Sequence, residues 1–208
     1  MLCFVSAGLI AYLIGSFPTG YIAGRLRGID IRQVGSGNVG ATNVTRALGK
    51  NFGYPVFVVD FCKGLVSVFF ASVIARRCGL GPFATDICIA AAGIFSVVGH
   101  SYPVWLGFKG GKGVATSLGV IFGISWIAGL IMGAVWIVTF KVSRYVSVAS
   151  IAAAIALPIS MISLFILHNL RSPVLVYFSL CLAVIVVVRH RSNLARLFSG
   201  TEPRYAKK

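Results

Sequence analysis

VATSLGVIFGISWIAGLIMGAVWIVTF, residues Val114 to Phe140, is the stretch on which the topology turns. Its 27 residues carry no charge, and as one helix they would be about 40 Å long. That is long for one bilayer crossing and short for two full ones. Gly119, Gly123, Ser125 and Gly129 offer points where two short helices can meet.

Parity decides between the two readings. Downstream lie Lys141 and Arg144, an apolar span from Tyr145 to Leu167, a short Arg171-Ser172-Pro173 turn and a second span from Val174 to Val188. The tail then carries Arg189, Arg191, Arg196, Arg204, Lys207 and Lys208. A single crossing by Val114 to Phe140 would leave this tail outside, whereas entry and return leave it in the cytoplasm. The excess of positive charge in cytoplasmic segments selects return.

Upstream, Met1 to Gly24 is an uncharged run followed by Arg25, Arg27 and Arg32, so its second end is cytoplasmic. GSFPTG, Gly15 to Gly20, should kink that span near the interface. Phe52 to Ala75 forms the next span, Gly79-Leu80-Gly81-Pro82 a turn, and Phe83 to Gly99 the third span. Arg76 and Arg77 then face outward, against the usual charge bias. The expectation is an all-α integral membrane protein forming one polytopic domain over residues 1–208. It has seven membrane-embedded helices, two of them short and within 114–140, with the N-terminus outside and the C-terminus cytoplasmic.

Composition agrees. The 208-residue chain is 58% hydrophobic, with a mean hydropathy of +0.93, outside the range of a soluble domain. Nineteen Lys and Arg face only four carboxylates, Asp30, Asp60, Asp86 and Glu202, for a formal charge of +15. These cations sit between apolar runs, where anionic lipid head groups account for them; nucleic acid is not the expected partner. Cys3, Cys62, Cys78, Cys88 and Cys181 lack paired spacing and predict neither a metal site nor a disulfide framework. No His, Asp or Glu cluster has ligand spacing, so neither metal nor cofactor is expected. No basic segment precedes the first apolar run, so a cleaved signal peptide is not expected.

GSGNVGATNVTRALGK, Gly35 to Lys50, is glycine-rich and polar between two spans. Glycines let backbone N–H groups converge, and a helix starting near Ala41 brings a positive N-terminus, the ingredients of a phosphate site. Gly35, Ser36, Gly37, Asn38, Gly40, Thr42, Asn43 and Arg46 are its candidates. The GxGxxG spacing of Gly35, Gly37 and Gly40 does not signify dinucleotide binding, because membrane spans rather than a βαβ unit flank it. Lys109-Gly110-Gly111-Lys112-Gly113 offers a second anion-binding turn at a helix start. It is not a P-loop: Leu106 and Gly113 stand where that motif needs Gly and Ser or Thr. Ser147 closes a further polar turn on the same predicted face and is also a phosphate candidate.

Asp60 and Lys63 lie one helical turn apart inside a span, where charge is costly and usually supports a polar site. His190, Asn193 and Arg196 follow at helical spacing. His100 ends the third span and is a weaker candidate than His190.

Together with DFCKG at Asp60 to Gly64, GHSYPVWLGFKGGKGVAT at Gly99 to Thr116 and HRSNLARLFSGTE at His190 to Glu202, these motifs resemble one family over nearly the full chain. It is the bacterial membrane acyl-phosphate:glycerol-3-phosphate acyltransferase family. The resemblance implies transfer of a fatty acyl group from acyl phosphate to the 1-hydroxyl of glycerol 3-phosphate, giving lysophosphatidic acid and phosphate. It also implies that Ser36, Arg46, Lys112, His190 and Asn193 bind substrates or catalyse, and that Glu202 is structural. The family lacks the His-x4-Asp signature of other glycerolipid acyltransferases, and so does this chain: Trp105, Pro173 and Ala195 occupy the fifth positions after its histidines. Implied partners are acyl phosphate, glycerol 3-phosphate, membrane lipids and other enzymes of phospholipid synthesis, at the cytoplasmic face of the bacterial inner membrane.

The residue types suit that chemistry. An acyl phosphate is already activated, so the main task is to hold two phosphates together despite their repulsion. Direct attack by the glycerol hydroxyl, losing its proton to a substrate phosphate or to His190, is the favoured route. A Ser36 acyl-enzyme is the alternative. A transporter of a phosphorylated metabolite is the competing class, since intramembrane charges and glycine-interrupted spans also suit it.

Overall fold

The computed structural model describes residues 1–170 and 172–205, and all regular structure among them is helical. The chain divides into two compact units, Met1–Ile124 and Ser125–Lys208. Arg171, Lys207 and Lys208, invoked in the topology argument, lie outside the described residues.

The first unit contains α1 (Leu2–Ser16), α2 (Thr19–Arg25), α3 (Ala41–Leu48), α4 (Lys50–Arg77), α5 (Pro82–Ser101) and α6 (Val114–Ile124). The kink expected at GSFPTG is a true break: α1 stops at Ser16, Phe17 is extended, and α2 begins after Pro18. Small residues bring the helices together. A Cβ on Gly15 would strike the Ser96 carbonyl of α5, and one on Gly64 or Gly119 would strike the backbone across the α4–α6 contact.

The second unit contains α7 (Trp126–Ser143), α8 (Val146–Ile166), α9 (Pro173–Arg189) and α10 (Arg191–Phe198). Ser125 caps α7 by accepting the Ala128 N–H, and Arg144 ends it in a left-handed conformation. On α8, Ala149, Ala153 and Ala154 are buried while Ile155, Ile159, Ile162 and Ile166 are exposed. Leu157, Met161 and Leu164 are buried beside the alanines, and the exposed row of branched apolar residues inverts the surface of a soluble protein, as lipid on the outer face requires. Trp136 Nε1 of α7 donates to Ser150 Oγ of α8 at 3.2 Å.

Among the described residues, five helical segments are long and apolar enough to cross a membrane, and α9 with α10 makes a sixth if the pair, bent by 56°, counts as one. The stretch that decides the topology breaks at Ser125, within the expected glycine-rich region. Its halves are unequal, however: α6 has 11 residues, while α7 has 18 and runs past Phe140 to Ser143. Only the first half is short, because Lys141 and Ser143 continue the helix until Arg144 turns the backbone.

One expectation fails outright. Cys3 and Cys78 form a disulfide, 75 residues apart in sequence. No paired spacing announces it, since tertiary packing brings the start of α1 to the end of α4. In a chain-entropy account such a long closed loop contributes about 4–5 kcal/mol. Cys3→Ser should therefore lower the melting temperature in detergent, and a reductant should give the parent protein the same lower value.

Candidate active site

In the first unit, the glycine-rich loop is organised from within by Asn43. Its side chain accepts the Ser36 N–H at 2.9 Å and donates to the carbonyls of Ile31 at 3.1 Å and Val34 at 2.9 Å. Asn43 is 1% exposed, so this predicted phosphate contact is instead the pin that shapes the loop. Gly35 and Gly37 have φ of +61° and +68°, which L side chains adopt only with strain. Their turn leaves Ser36 exposed, and Arg46 is exposed on α3. Asn38 Oδ1 accepts the Gly40 N–H at 2.8 Å, closing the loop onto the start of α3, where Thr42 is half-buried. Just before the loop, hydrogen bonds from Arg32 hold the Asp30 carboxyl down to about 2.

The second motif folds back over the end of α5. Gly110 N–H donates to Ser101 and Gly111 N–H to His100, at 3.1 and 3.0 Å. These two glycines, their N–H groups expected at an anion, bond instead within the protein. They permit close approach: a Cβ on Gly111 would collide with the His100 ring, and one on Gly110 with the His100 carbonyl and Pro103. Lys112 follows, half-buried, and Gly113 at φ +78° starts α6. Lys109 is exposed at the head of the turn. Deeper in this unit, Asp60 and Lys63 form a buried pair at 2.6 Å.

In the second unit, Glu202 gathers the motif of the tail. Its Oε1 accepts from Ser147 Oγ and Asn193 Nδ2, both at 2.7 Å, and its Oε2 accepts from Arg196 Nε at 2.8 Å. Ser147 is therefore a support for the tail rather than the expected phosphate contact, because its hydroxyl proton is committed to Glu202. His190 sits at the α9–α10 bend, 2% exposed, with Nδ1 2.7 Å from the Val186 carbonyl. A carbonyl only accepts, so Nδ1 carries the proton and Nε2 of the neutral ring carries the lone pair.

Burial pushes the Glu202 carboxyl up, but the hydrogen bonds from Asn193, Ser147 and Arg196 outweigh it and leave the group below the usual carboxylate range. A depressed folded value means that this stabilisation is complete above the unfolded value and is lost as pH falls through the folded one. Glu202→Gln should cost about 1–3 kcal/mol near neutral pH. Melting temperatures measured from pH 7 downward should converge for parent and variant in acid.

Among the described residues, no group of three or more His, Cys, Asp or Glu side chains is placed to hold a metal ion.

Known proteins are similar to this chain over nearly its full length. The family model described as glycerol-3-phosphate acyltransferase matches residues 5–200. The glycerol-3-phosphate acyltransferase of Synechococcus elongatus is 47% identical over 205 residues, covering 98% of this chain and 95% of the relative. That of Geobacter sulfurreducens is 46% identical, covering 94% of each. The chain belongs to the glycerol-3-phosphate acyltransferase family. The fold agrees with this membership. A crystal structure of PlsY (YgiH), an integral membrane glycerol 3-phosphate acyltransferase in its glycerol 3-phosphate form, is 42% identical with a TM-score of 0.84, covering 98% of this chain and 96% of that one. The lysophosphatidic acid form gives 41% identity and a TM-score of 0.83.

Within this acyltransferase family member, the motifs resolve into exposed or half-buried groups, Ser36, Arg46, Lys109 and Lys112, and buried supports, Asn43, His100 and Glu202. His100, the weaker histidine candidate, lies buried with its ring against Gly111. The sequence signal for this packing is the Gly110-Gly111 pair, where a side chain would collide with His100 and Pro103.

Proposed function

We propose that this chain transfers a fatty acyl group from acyl phosphate to the 1-hydroxyl of sn-glycerol 3-phosphate, releasing lysophosphatidic acid and inorganic phosphate. The observation that carries this reading is the nearly complete match to PlsY, whose solved forms are described by glycerol 3-phosphate and lysophosphatidic acid, an acceptor and a product of that reaction. Ser36, Arg46, Lys112, His190 and Asn193 are the residues we assign to the chemistry. Arg46 and Lys112 offset phosphate charge; Ser36, with the backbone of Gly35, Asn38 and Thr42 around it, positions an acceptor or donor phosphate, while the N–H groups of Gly37 and Gly40 hold the loop closed on Val34 and Asn38. Lys109 and Gly113 flank Lys112 and complete that turn. His190, its Nδ1–H directed at Val186, presents Nε2 as a base for the glycerol hydroxyl proton, and Asn193, one turn further on and held by Glu202, supports it. Attack by the hydroxyl on the acyl carbon then breaks the acyl–phosphate bond, and the phosphate leaves with its electron pair.

We place the reaction at the cytoplasmic face of the bacterial inner membrane, with seven embedded helices acting as one polytopic domain, and the donor entering from the lipid. The Cys3–Cys78 disulfide supports an outside location for the N-terminal end, since such bonds persist in oxidising compartments. A reporter fused after Lys208 that reads as extracytoplasmic would overturn this orientation.

The deciding experiment gives the purified protein glycerol 3-phosphate and either acyl phosphate or acyl-CoA. Lysophosphatidic acid formed from acyl phosphate supports the assignment; formation from acyl-CoA alone overturns it. In proteoliposomes, phosphate release must require both substrates, and uptake of glycerol 3-phosphate without acyl transfer would instead identify a transporter.

A further inference from the structure

Asp60 and Lys63 lie near the middle of α4, 2% and 6% exposed, where an ion pair is costly to bury. Their contacts reach beyond each other. Lys63 Nζ donates to Asp60 Oδ1 at 2.6 Å and to the Phe17 carbonyl at 2.5 Å. That carbonyl belongs to the break between α1 and α2, where the helical ladder is interrupted by Pro18. On the other side, His100 Nδ1 lies 3.7 Å from the same Asp60 Oδ1. Gly111 rests against the His100 ring and donates to its carbonyl, and the next residue is Lys112.

These contacts form one connected path from the α1–α2 break to the cation of the glycine turn. A cavity of about 10 Å³, bordered by Ser16, Thr19, Asp60, Lys63, His100 and Leu106, lies along it. Ser16 Oγ and Thr19 Oγ1 are buried there without a hydrogen-bond partner among the described residues. A purely structural ion pair needs neither the histidine nor the helix break. An apolar pair would also pack a membrane helix at lower cost.

We propose that Asp60, Lys63 and His100 are positioning residues for acyl transfer: Lys63 fixes Asp60 against the broken end of α1, Asp60 fixes the His100 ring, and the ring sets the bed of Gly111 and hence the place of Lys112. The proposal rests on the role assigned to Lys112 above. A displacement of about 1 Å at a group that stabilises transferring charge costs on the order of 10²-fold in rate. The relay therefore acts on kcat per folded molecule.

The test is the double variant D60N/K63M, which removes both charges together and avoids leaving one buried alone, assayed in detergent with acyl phosphate and glycerol 3-phosphate. The expected result is a cooperative melt with kcat/KM lowered about 10²-fold per folded molecule. His100→Ala, which removes only the ring beside Gly111, should give a similar loss. Introducing Gly111→Ala into the His100→Ala background should cost less than in the parent, because the added Cβ no longer meets the ring. A merely structural role would lower the melting temperature and leave kcat per folded molecule at the parental value; that outcome overturns the proposal. If the double variant does not fold, parental kinetics in His100→Ala overturn it equally. A parent protein inactive with acyl phosphate would instead refute the underlying functional assignment, and the two failures are distinguished by that control.

Discussion

Lys112→Met should lower kcat/KM with acyl phosphate by about 10²–10³, the loss expected when one preorganised charge donor is taken from a site where negative charge develops. The reacting system brings two phosphates together and releases one of them, so its chief electrostatic difficulty is repulsion between anions. Lys112 is half-buried between Gly111, pressed on the His100 ring, and Gly113, whose left-handed backbone starts α6. A cation held by such a turn needs little reorganisation during the reaction. Lys112→Arg keeps the charge but substitutes a wider planar group for a compact ammonium, so activity should recover only in part. Steady-state kinetics on protein with a parental melting curve check this. Full activity in Lys112→Met would remove Lys112 from the mechanism.

His190→Ala should lower kcat by about 10²–10⁴, the range for loss of a positioned general base. The ring is nearly buried at the α9–α10 bend, and Nδ1 is committed to the Val186 carbonyl. This contact fixes both the tautomer and the ring direction, leaving Nε2 as the basic nitrogen. His190→Gln preserves a polar group of similar reach but supplies no comparable base, so it should be nearly as impaired as the alanine variant. The same experiment bears on the two chemical routes. Parent enzyme given acyl phosphate without glycerol 3-phosphate should accumulate no ester on Ser36, as direct attack requires. A trapped Ser36 acyl group would establish the acyl-enzyme route, with His190 activating the serine.

Much of this was legible in the sequence because a membrane narrows the choices. A lipid environment requires backbone groups to bond within helices, so apolar runs between basic segments translate directly into spans. Thus α3 begins at Ala41 as expected, and the runs from Phe52 and Tyr145 appear as α4 and α8 with ends moved by one or two residues. The break near Ser125 was likewise readable from Gly123 and Ser125, small residues in an otherwise continuous apolar run.

What sequence could not reveal is which polar atoms are already satisfied. Asn43 and Ser147 are chemically suited to phosphate, yet their hydrogen bonds are committed to the loop and to Glu202. The Cys3–Cys78 bond depends on two helix ends meeting 75 residues apart, information absent from local spacing. By itself, the sequence determined an all-helical membrane protein and its family, because hydropathy and motif order are local properties of the chain. Only the tertiary structure decided which residues hold and which present, because a side chain's function depends on the partners that folding gives it: Gly111 on His100, His100 beside Asp60, and Glu202 gathering Ser147, Asn193 and Arg196.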